Sequence, residues 1–370
     1  MGRLSPSIAK LAALAVTIVS LADAAAGTAH ADSGWFGFLQ QLWSPGSGGN
    51  AETALKRQGG SRLLLRLDTE ALRDAMLIEL RDDARRELRE GRIPHAGLTV
   101  QGGRIELRIR QPEDRQRSHS RLASLSTAAS WGDGAIAISD SDDGAIILKP
   151  TEATFDDRVR RTRQQSIEVI ERRLETAGVT ARGLQPDGAD GIRVLLPGVK
   201  DPERLGAVFN KRARVTFRLV DLSMAPDEAL RDRPPPGSEI VYELNTKAPL
   251  VLRKQILLEG GDIVDAAPGF DQRTNQPIVT FRFNANGARR FAQITQENIG
   301  RPFAIVLDDD VLSAPIIREP ILGGSGQISG SLTLEDANAV AVLLRSGMLP
   351  GRLTVVEQHI LEPNGKAAHH

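Results

Sequence analysis

Residues 136–179 read IAISDSDDGAIILKPTEATFDDRVRRTRQQSIEVIERRLETAGV, and this stretch decides the fold class. Residues 136–138 and 146–148 are short Ile/Leu runs on either side of an acidic turn, Asp140-Ser141-Asp142-Asp143-Gly144. That pattern predicts a β-hairpin. Phe155, Val159, Ile167, Ile170 and Leu174 then recur at helical spacing, with Gly178 just beyond them as a stop signal. A hairpin feeding a long amphipathic helix is a unit of mixed α and β structure.

The same alternation continues on both sides. Downstream, 192–196 reads as a strand, Asp201-Pro202-Glu203 opens a helix, and 215–220 is a further strand. Upstream, SRLLLRL at 61–67 reads as a strand, and Asp68 or Thr69 can cap a helix carrying Leu72, Met76 and Leu80. The other face of that helix holds Arg81, Asp82, Asp83, Arg85, Arg86 and Glu87, mixed charges that mark a solvated surface. Residues 98–100 and 105–109 flank Gly102-Gly103 as a second hairpin, and the polar run 111–121 is expected to be a loop. Together these predict an α+β chain built from split β-α-β pieces, ferredoxin-like in style.

A third unit begins after Pro234-Pro235-Pro236-Gly237. Three prolines suit neither a helix interior nor a central strand, so 222–238 is expected to be a linker. Beyond it, strands are expected near 239–244, 277–283 and 302–307, with a helix at 285–298 carrying Phe291 and Ile294. Thr333 can cap a last helix with Asp336 at its third position, a stripe of Ala337, Val340, Ala341 and Leu344, and Gly347 as its end. Pro350 then releases a strand at 353–356.

Net charge is zero, with 47 basic and 47 acidic residues, so a phosphate-neutralising nucleic-acid binder is not expected. The chain has no cysteine, which removes thiolate metal sites, a cysteine nucleophile and disulfides. At the N-terminus, Arg3 and Lys10 precede the apolar run 11–21 (LAALAVTIVSL), and Ala29-His30-Ala31 forms a cleavage pattern. The run falls far short of the roughly 20 residues of a spanning helix, so 1–31 reads as a cleaved signal peptide and the mature chain as periplasmic. The alternative is an uncleaved anchor in the inner membrane. Residues 32–57 read as a flexible lead whose Trp35, Phe36, Phe38, Leu39, Leu42 and Trp43 either cap a neighbouring surface or make an interfacial foot. Residues 363–370 read as a disordered tail.

Several stretches resemble the SecD protein-translocase family in its first large periplasmic domain. They are Gly59-Gly60-Ser61 with the following LLLRLD, IEVIERRLETAGV at 167–179, VLLPGV at 194–199, Asp201-Pro202, and FRLV at 217–220. The densest similarity runs from Asn286 to Pro350 and includes NANGARRFAQIT, NIGRPFAIVLDDDVLSAPI, EPILGGSGQISG and LLRSGMLP, in the family's order. The resemblance implies a ferredoxin-like base at 58–221, a linker at 222–238, an inserted smaller α+β head subdomain at 239–349 and a return strand at 350–362. It also implies a periplasmic accessory role in protein translocation, binding emerging or unfolded exported polypeptide alongside Sec translocase membrane subunits. The family's membrane helices and their proton-sensing groups have no counterpart here, so an energy-coupling motor is not implied. The alternative is a non-transporting paralogue serving as a structural or assembly module on a membrane partner.

Catalytic chemistry is not expected. Asp308-Asp309-Asp310 lacks the spacing of a calcium loop, and neighbours on an extended segment point to opposite sides, so the triplet reads as a charged turn and not a metal site. No G-x-S-x-G elbow and no G-K-[ST] phosphate loop is present, and neither cofactor nor metal is implied. Polypeptide binding would use a sheet edge and an apolar groove. Among Phe270, Ile278, Phe281, Phe283, Phe303, Leu312, Ile316 and Ile317, most strand residues are expected in the core. The Gly-rich segment 322–330 is a candidate mobile rim, with Gly323, Gly324, Ser325 and Gly326 in it and Ile316 and Ile317 as further candidates. Pro234 and Pro350 are candidate hinges between base and head.

Overall fold

The structure is a computed structural model that describes residues 51–363 apart from 128–130, 132–133 and 180–181. The expected signal peptide, the lead as far as residue 50, and residues 364–370 lie outside the described residues. In chain order the first elements are α1 (Ala51–Gln58), β1 (Gly60–Leu67), α2 (Thr69–Glu90), β2 (His95–Gln101), β3 (Arg104–Ile109) and α3 (Arg115–Ala123). Then come β4 (Ile136–Asp140), β5 (Ile146–Pro150), α4 (Glu152–Thr176), β6 (Gly183–Asp187), β7 (Gly191–Pro197), α5 (Gly206–Asn210), β8 (Val215–Leu219) and α6 (Pro226–Asp232). Next are β9 (Ser238–Glu243), β10 (Pro249–Arg253), β11 (Leu258–Glu259), β12 (Ile263–Phe270), β13 (Pro277–Phe283) and α7 (Ala285–Glu297). Last are β14 (Phe303–Leu307), β15 (Asp310–Ser313), β16 (Ser325–Ile328), α8 (Leu334–Ser346) and β17 (Leu353–Leu361).

The strands form four sheets of mixed α+β architecture. The first has the order β17-β1-β7-β6, antiparallel at each pairing. Leu63 and Leu65 of β1 and Ile192, Val194 and Leu196 of β7 point one way at period two and are buried against Ile170 and Leu174 of α4. The second sheet, β2-β3-β5-β4, buries Ile105, Leu107, Ile146 and Leu148 against Met76, Leu80, Ala84 and Leu88 of α2. Those four sit four residues apart, which is why one face of α2 is apolar while its opposite face is charged.

The third sheet has six strands, β10-β9-β15-β14-β8-β11, and the fourth has three, β12-β13-β16. A bridge between Val220 and Leu252 brings the end of β8 back to β10, so the six-stranded sheet curls on itself. Its inner face encloses Val241, Leu252, Val306 and Val311. On its outer face Phe217 and Phe303 meet Phe281, Phe283 and Phe291, with ring centroids 5.2 to 6.3 Å apart.

Several expectations change. Residues 51–57, expected to be flexible, begin the described chain as helix α1 with Leu55 buried. The polar run 111–121 is not a loop. A turn of 3₁₀ helix leads into α3, whose Leu122 and buried Ser118 face α2 and the second sheet. Strand β8, expected inside a base at 58–221, instead lies between β14 and β11 of the six-stranded sheet. All five of its residues are buried, so it needs a central position with both faces covered. Residues 222–238 hold helix α6, with Pro226 in its first turn where a missing N–H costs nothing. This segment joins β8 to β9 within one sheet, so Pro234 does not stand between two bodies. The final strand runs past residue 356 to Leu361, inside the return strand expected at 350–362, because β1 offers a full-length partner.

Candidate functional site

A cleft of about 410 Å³ opens where β15 leaves β9. Strand β9 ends at Glu243, and its parallel pairing with β15 covers only Asp310 and Val311. The last bond is donated by the Leu244 N–H to the Val311 carbonyl at 2.9 Å. Beyond it the chain continues through Leu312, Ser313, Ala314 and Pro315, held on its far side by β14 and by the Phe303 N–H, which donates to the Pro315 carbonyl. The near edge of this segment faces the cleft, and no described strand pairs with it there.

The opposite wall is Ser329, Gly330, Ser331 and Leu332. A side chain at Gly330 would place its first carbon 3.1 Å from the Leu312 carbonyl oxygen, so glycine sets how closely the walls approach. Asn245 ties the wall in place, donating to the Ser331 carbonyl at 2.6 Å and to the Asp336 carboxylate at 2.9 Å. A third side comes from the turn after β12. There the Asp271 carboxylate accepts from the Thr274 and Arg273 N–H groups, and from the Gln327 amide of β16 at 3.2 Å. The Thr274 and Gln327 bonds, then that from Arg273, hold the Asp271 carboxyl down to about 2. The lining alternates apolar Leu312, Ile278 and Leu332 with hydroxyl and amide groups. An open strand edge beside apolar positions suits an extended chain better than a compact small molecule.

Of the expected rim at 322–330, Ser329 and Gly330 line this cleft, whereas Gly323, Gly324, Ser325 and Gly326 do not. Ser325 and Gly326 belong to β16, paired with Arg282 and Phe281 of β13, so they are sheet rather than free loop. A side chain at Gly326 would meet the Phe281 ring at 2.4 Å, and one at Gly324 (φ +63°) would meet Ala288 at 2.4 Å. Gly323 alone of the three has open space around it. Ile317 is core at 5% exposure, whereas Ile316, one residue earlier, is 59% exposed. Of the other apolar candidates, Phe270 is exposed and Ile278, Phe281, Phe283, Phe303 and Leu312 are buried. Pro350 lies in residues 347–352, which do lead from α8 to the first sheet.

Asp308 and Asp310 act separately. Asp308 turns the chain at φ +55° and accepts from the Ala213 and Arg214 N–H groups at 3.3 and 2.9 Å. Asp310 pairs with Lys211 and Lys247, each at 3.1 Å. Sequence reasoning did not single out Asn245 or Asp271. The Asp271 turn has a local signature, an aspartate followed by donors two and three residues on. The open edge of β15 has none, since it depends on where a distant strand stops.

Residues 238–351 match the family model for the SecDF P1 head subdomain, and residues 163–222 match that for the N-terminal part of the P1 domain of protein translocase subunit SecDF. Protein translocase subunit SecD of Rickettsia bellii (strain RML369-C) is 35% identical over 310 residues, covering 84% of this chain and 58% of that protein. Its counterpart in Acetobacter pasteurianus (strain NBRC 105184 / IFO 3283-01) is 35% identical over 312 residues, covering 84% and 59%. The chain thus spans less than two thirds of the length of these relatives. A solved chain described as "Structure and function of a membrane component SecDF that enhances protein export" is 34% identical, with 53% of this chain and 92% of that one covered and a TM-score of 0.43.

Proposed function

We propose that this chain, which belongs to the SecD family of protein-translocase subunits, assists protein export by holding an extended stretch of emerging polypeptide in the cleft beside β15. The observation that carries this reading is the uncovered edge of residues 312–315, flanked by apolar and hydroxyl-bearing side chains. An unfolded substrate always offers main-chain donors and acceptors, so strand addition binds it without requiring one sequence.

The reading places the chain in the periplasm, working with Sec translocase membrane subunits. Among the described residues no helix is long and apolar enough to cross a membrane. In the same reading the first sheet is a ferredoxin-like base. Strand β7 lies between β1 and β6, and β1 lies between β7 and β17, which is the arrangement of two interlocked split β-α-β units. The six- and three-stranded sheets form the head, inserted between β7 and β17.

The test is titration of the chain with a fluorescently labelled exported protein kept unfolded by removal of its disulfides. Saturable binding is expected, weakened about tenfold by Ser331→Trp, which fills the cleft at an exposed position. Equal binding by both proteins would reject the cleft. Absence of binding by the unaltered chain would reject the polypeptide-holding role and leave the assembly-module alternative.

A further inference from the structure

Two segments connect the first sheet to the six-stranded sheet and its helices. Residues 198–214 run from β7 to β8, and residues 347–352 run from α8 to β17. They touch where they pass, the Leu349 N–H donating to the Arg212 carbonyl at 2.7 Å. Both also end on a single side chain. Arg173, on α4 beneath the first sheet, donates from Nη1 to the carbonyls of Val208 (2.8 Å) and Lys211 (2.6 Å). From Nη2 it donates to the carbonyls of Arg212 and Gly347, each at 3.0 Å. Its neighbour Arg172 adds a longer contact to the Ser346 carbonyl at 3.4 Å.

Arg173 is fully buried at 0% exposure, and its four acceptors are all main-chain carbonyls. Its Nε has no hydrogen-bond partner. Burial, the largest influence, lowers its pKa to about 10, still far above neutrality, so the group remains a cation. Burying an arginine is costly unless its donors are matched. The geometry explains what offsets that cost. Val208 lies within the short helix α5, Lys211 and Arg212 follow its end, and Gly347 caps α8. Chain leaving the C-terminal end of a helix has carbonyls without helical partners and lies in a region of partial negative charge, so a cation aimed at two such exits is favoured. A planar guanidinium with forked donors can reach four acceptors at once, whereas a lysine ammonium has three donors at one point.

We propose that Arg173 is a pin that sets the orientation of the six-stranded sheet against the first sheet, because both connecting segments are fastened to α4 through it. Ser61 Oγ also holds the first segment to the first sheet, donating to the Val199 carbonyl at 2.6 Å, but Arg173 is the side chain that reaches both segments. A change of orientation therefore requires these four bonds to loosen together, and the hinge lies at 208–212 and 347–349, not at Pro234. This inference rests on the sheet boundaries and is independent of what the cleft binds.

The chain has no cysteine, so a pair introduced at exposed positions, Gln165→Cys on α4 and Thr280→Cys on β13, can carry spin labels cleanly. Pulsed electron–electron distance measurement is expected to give one narrow distribution for the otherwise unaltered chain. Arg173→Met, which keeps the bulk and removes the donors, should broaden it about twofold or add a second population, with Arg173→Lys in between. An unchanged distribution in a folded Arg173→Met protein overturns the pin. Should that variant fail to fold, amide exchange of the unaltered chain decides. Under native conditions the Leu349 amide is expected to exchange about tenfold faster than those of Leu63 and Val194. Exchange of Leu349 only at the rate of those sheet amides would show that the crossing opens with global unfolding alone, and would equally overturn the proposal.

Discussion

The indole Nε1–H of Trp131 donates to the Asp83 carboxylate at 2.9 Å inside the second sheet's core, and Asp83 also receives Arg86 at 2.6 Å. Trp131 is 4% exposed and Asp83 is 9% exposed, so a charged acceptor is held at the edge of an apolar cluster by one neutral and one cationic donor. Trp131→Phe keeps a ring in place and removes only the neutral donor. It is expected to cost about 2 kcal/mol, in the range for a buried bond to a charged group. In a double-mutant cycle with Asp83→Ala, urea unfolding should show a coupling of about 1–2 kcal/mol. Additive effects would mean that the bond contributes nothing beyond packing.

Within the run Gly323-Gly324-Ser325-Gly326, the structure separates three glycines that look alike in sequence. Gly323→Ala enters open space and should change stability by less than about 0.5 kcal/mol. Gly326→Ala drives a methyl group to 2.4 Å from the buried Phe281 ring, and a loss of about 1–3 kcal/mol is expected from overpacking. Gly324→Ala meets both a left-handed φ of +63° and the Ala288 methyl at 2.4 Å, and should lose at least as much. Thermal unfolding of the three variants checks the order. Equal tolerance at all three would restore the picture of a loose rim.

The phenylalanine cluster carries a sharper expectation. Phe217 is fully buried and its ring lies within 6.1 Å, centroid to centroid, of Phe281, Phe283, Phe291 and Phe303. It therefore joins β8, β13, α7 and β14 at one point. Phe217→Ala should cost about 3–5 kcal/mol, whereas Phe270→Ala, at an exposed strand end, should cost little. Denaturant midpoints compare the two directly. A Phe217→Ala penalty no larger than that of Phe270→Ala would contradict the packing.

What was legible in the sequence is local. The Thr333 cap is formed as its spacing suggests, with Thr333 Oγ1 accepting from the Asp336 N–H at 3.1 Å and Asp336 accepting from the Thr333 N–H at 2.9 Å. The stripe Ala337, Val340, Ala341 and Leu344 is buried, because period and cap are properties of adjacent residues. Strands β12 and β15 escaped notice for equally physical reasons. The first contains Asp265, Pro268 and Gly269, which an edge strand tolerates and an alternating pattern does not reveal. The second has only four residues. Pro234 looked like a hinge because proline breaks regular structure. Whether a break lies within a sheet or between two sheets is decided by pairing partners far away in sequence. The same holds for Arg173, which reads as one more charge on a helix until its four acceptors are brought to it by two distant turns.

Asp221 predicts a pH dependence. It stands just past β8 and accepts from Ser238 Oγ at 2.6 Å, Ser223 Oγ at 2.7 Å and the Ser223 N–H at 3.1 Å, which fastens both ends of the α6 excursion. The Ser238 hydroxyl, then the two Ser223 donors, lower its carboxyl from the usual 3.8 to about 2. A carboxyl with a depressed folded value stabilises the fold fully above its unfolded value, and that contribution disappears as pH falls through 3.8 toward 2. Ser238→Ala removes the leading donor and should bring the folded value back toward 3.8. The gap in urea midpoint between the unaltered chain and Ser238→Ala is therefore expected to be widest near neutrality and to narrow below about pH 4. A gap that stays constant down to about pH 2.5 would mean that Ser238 acts on this fold through packing alone, with no share in holding the Asp221 charge.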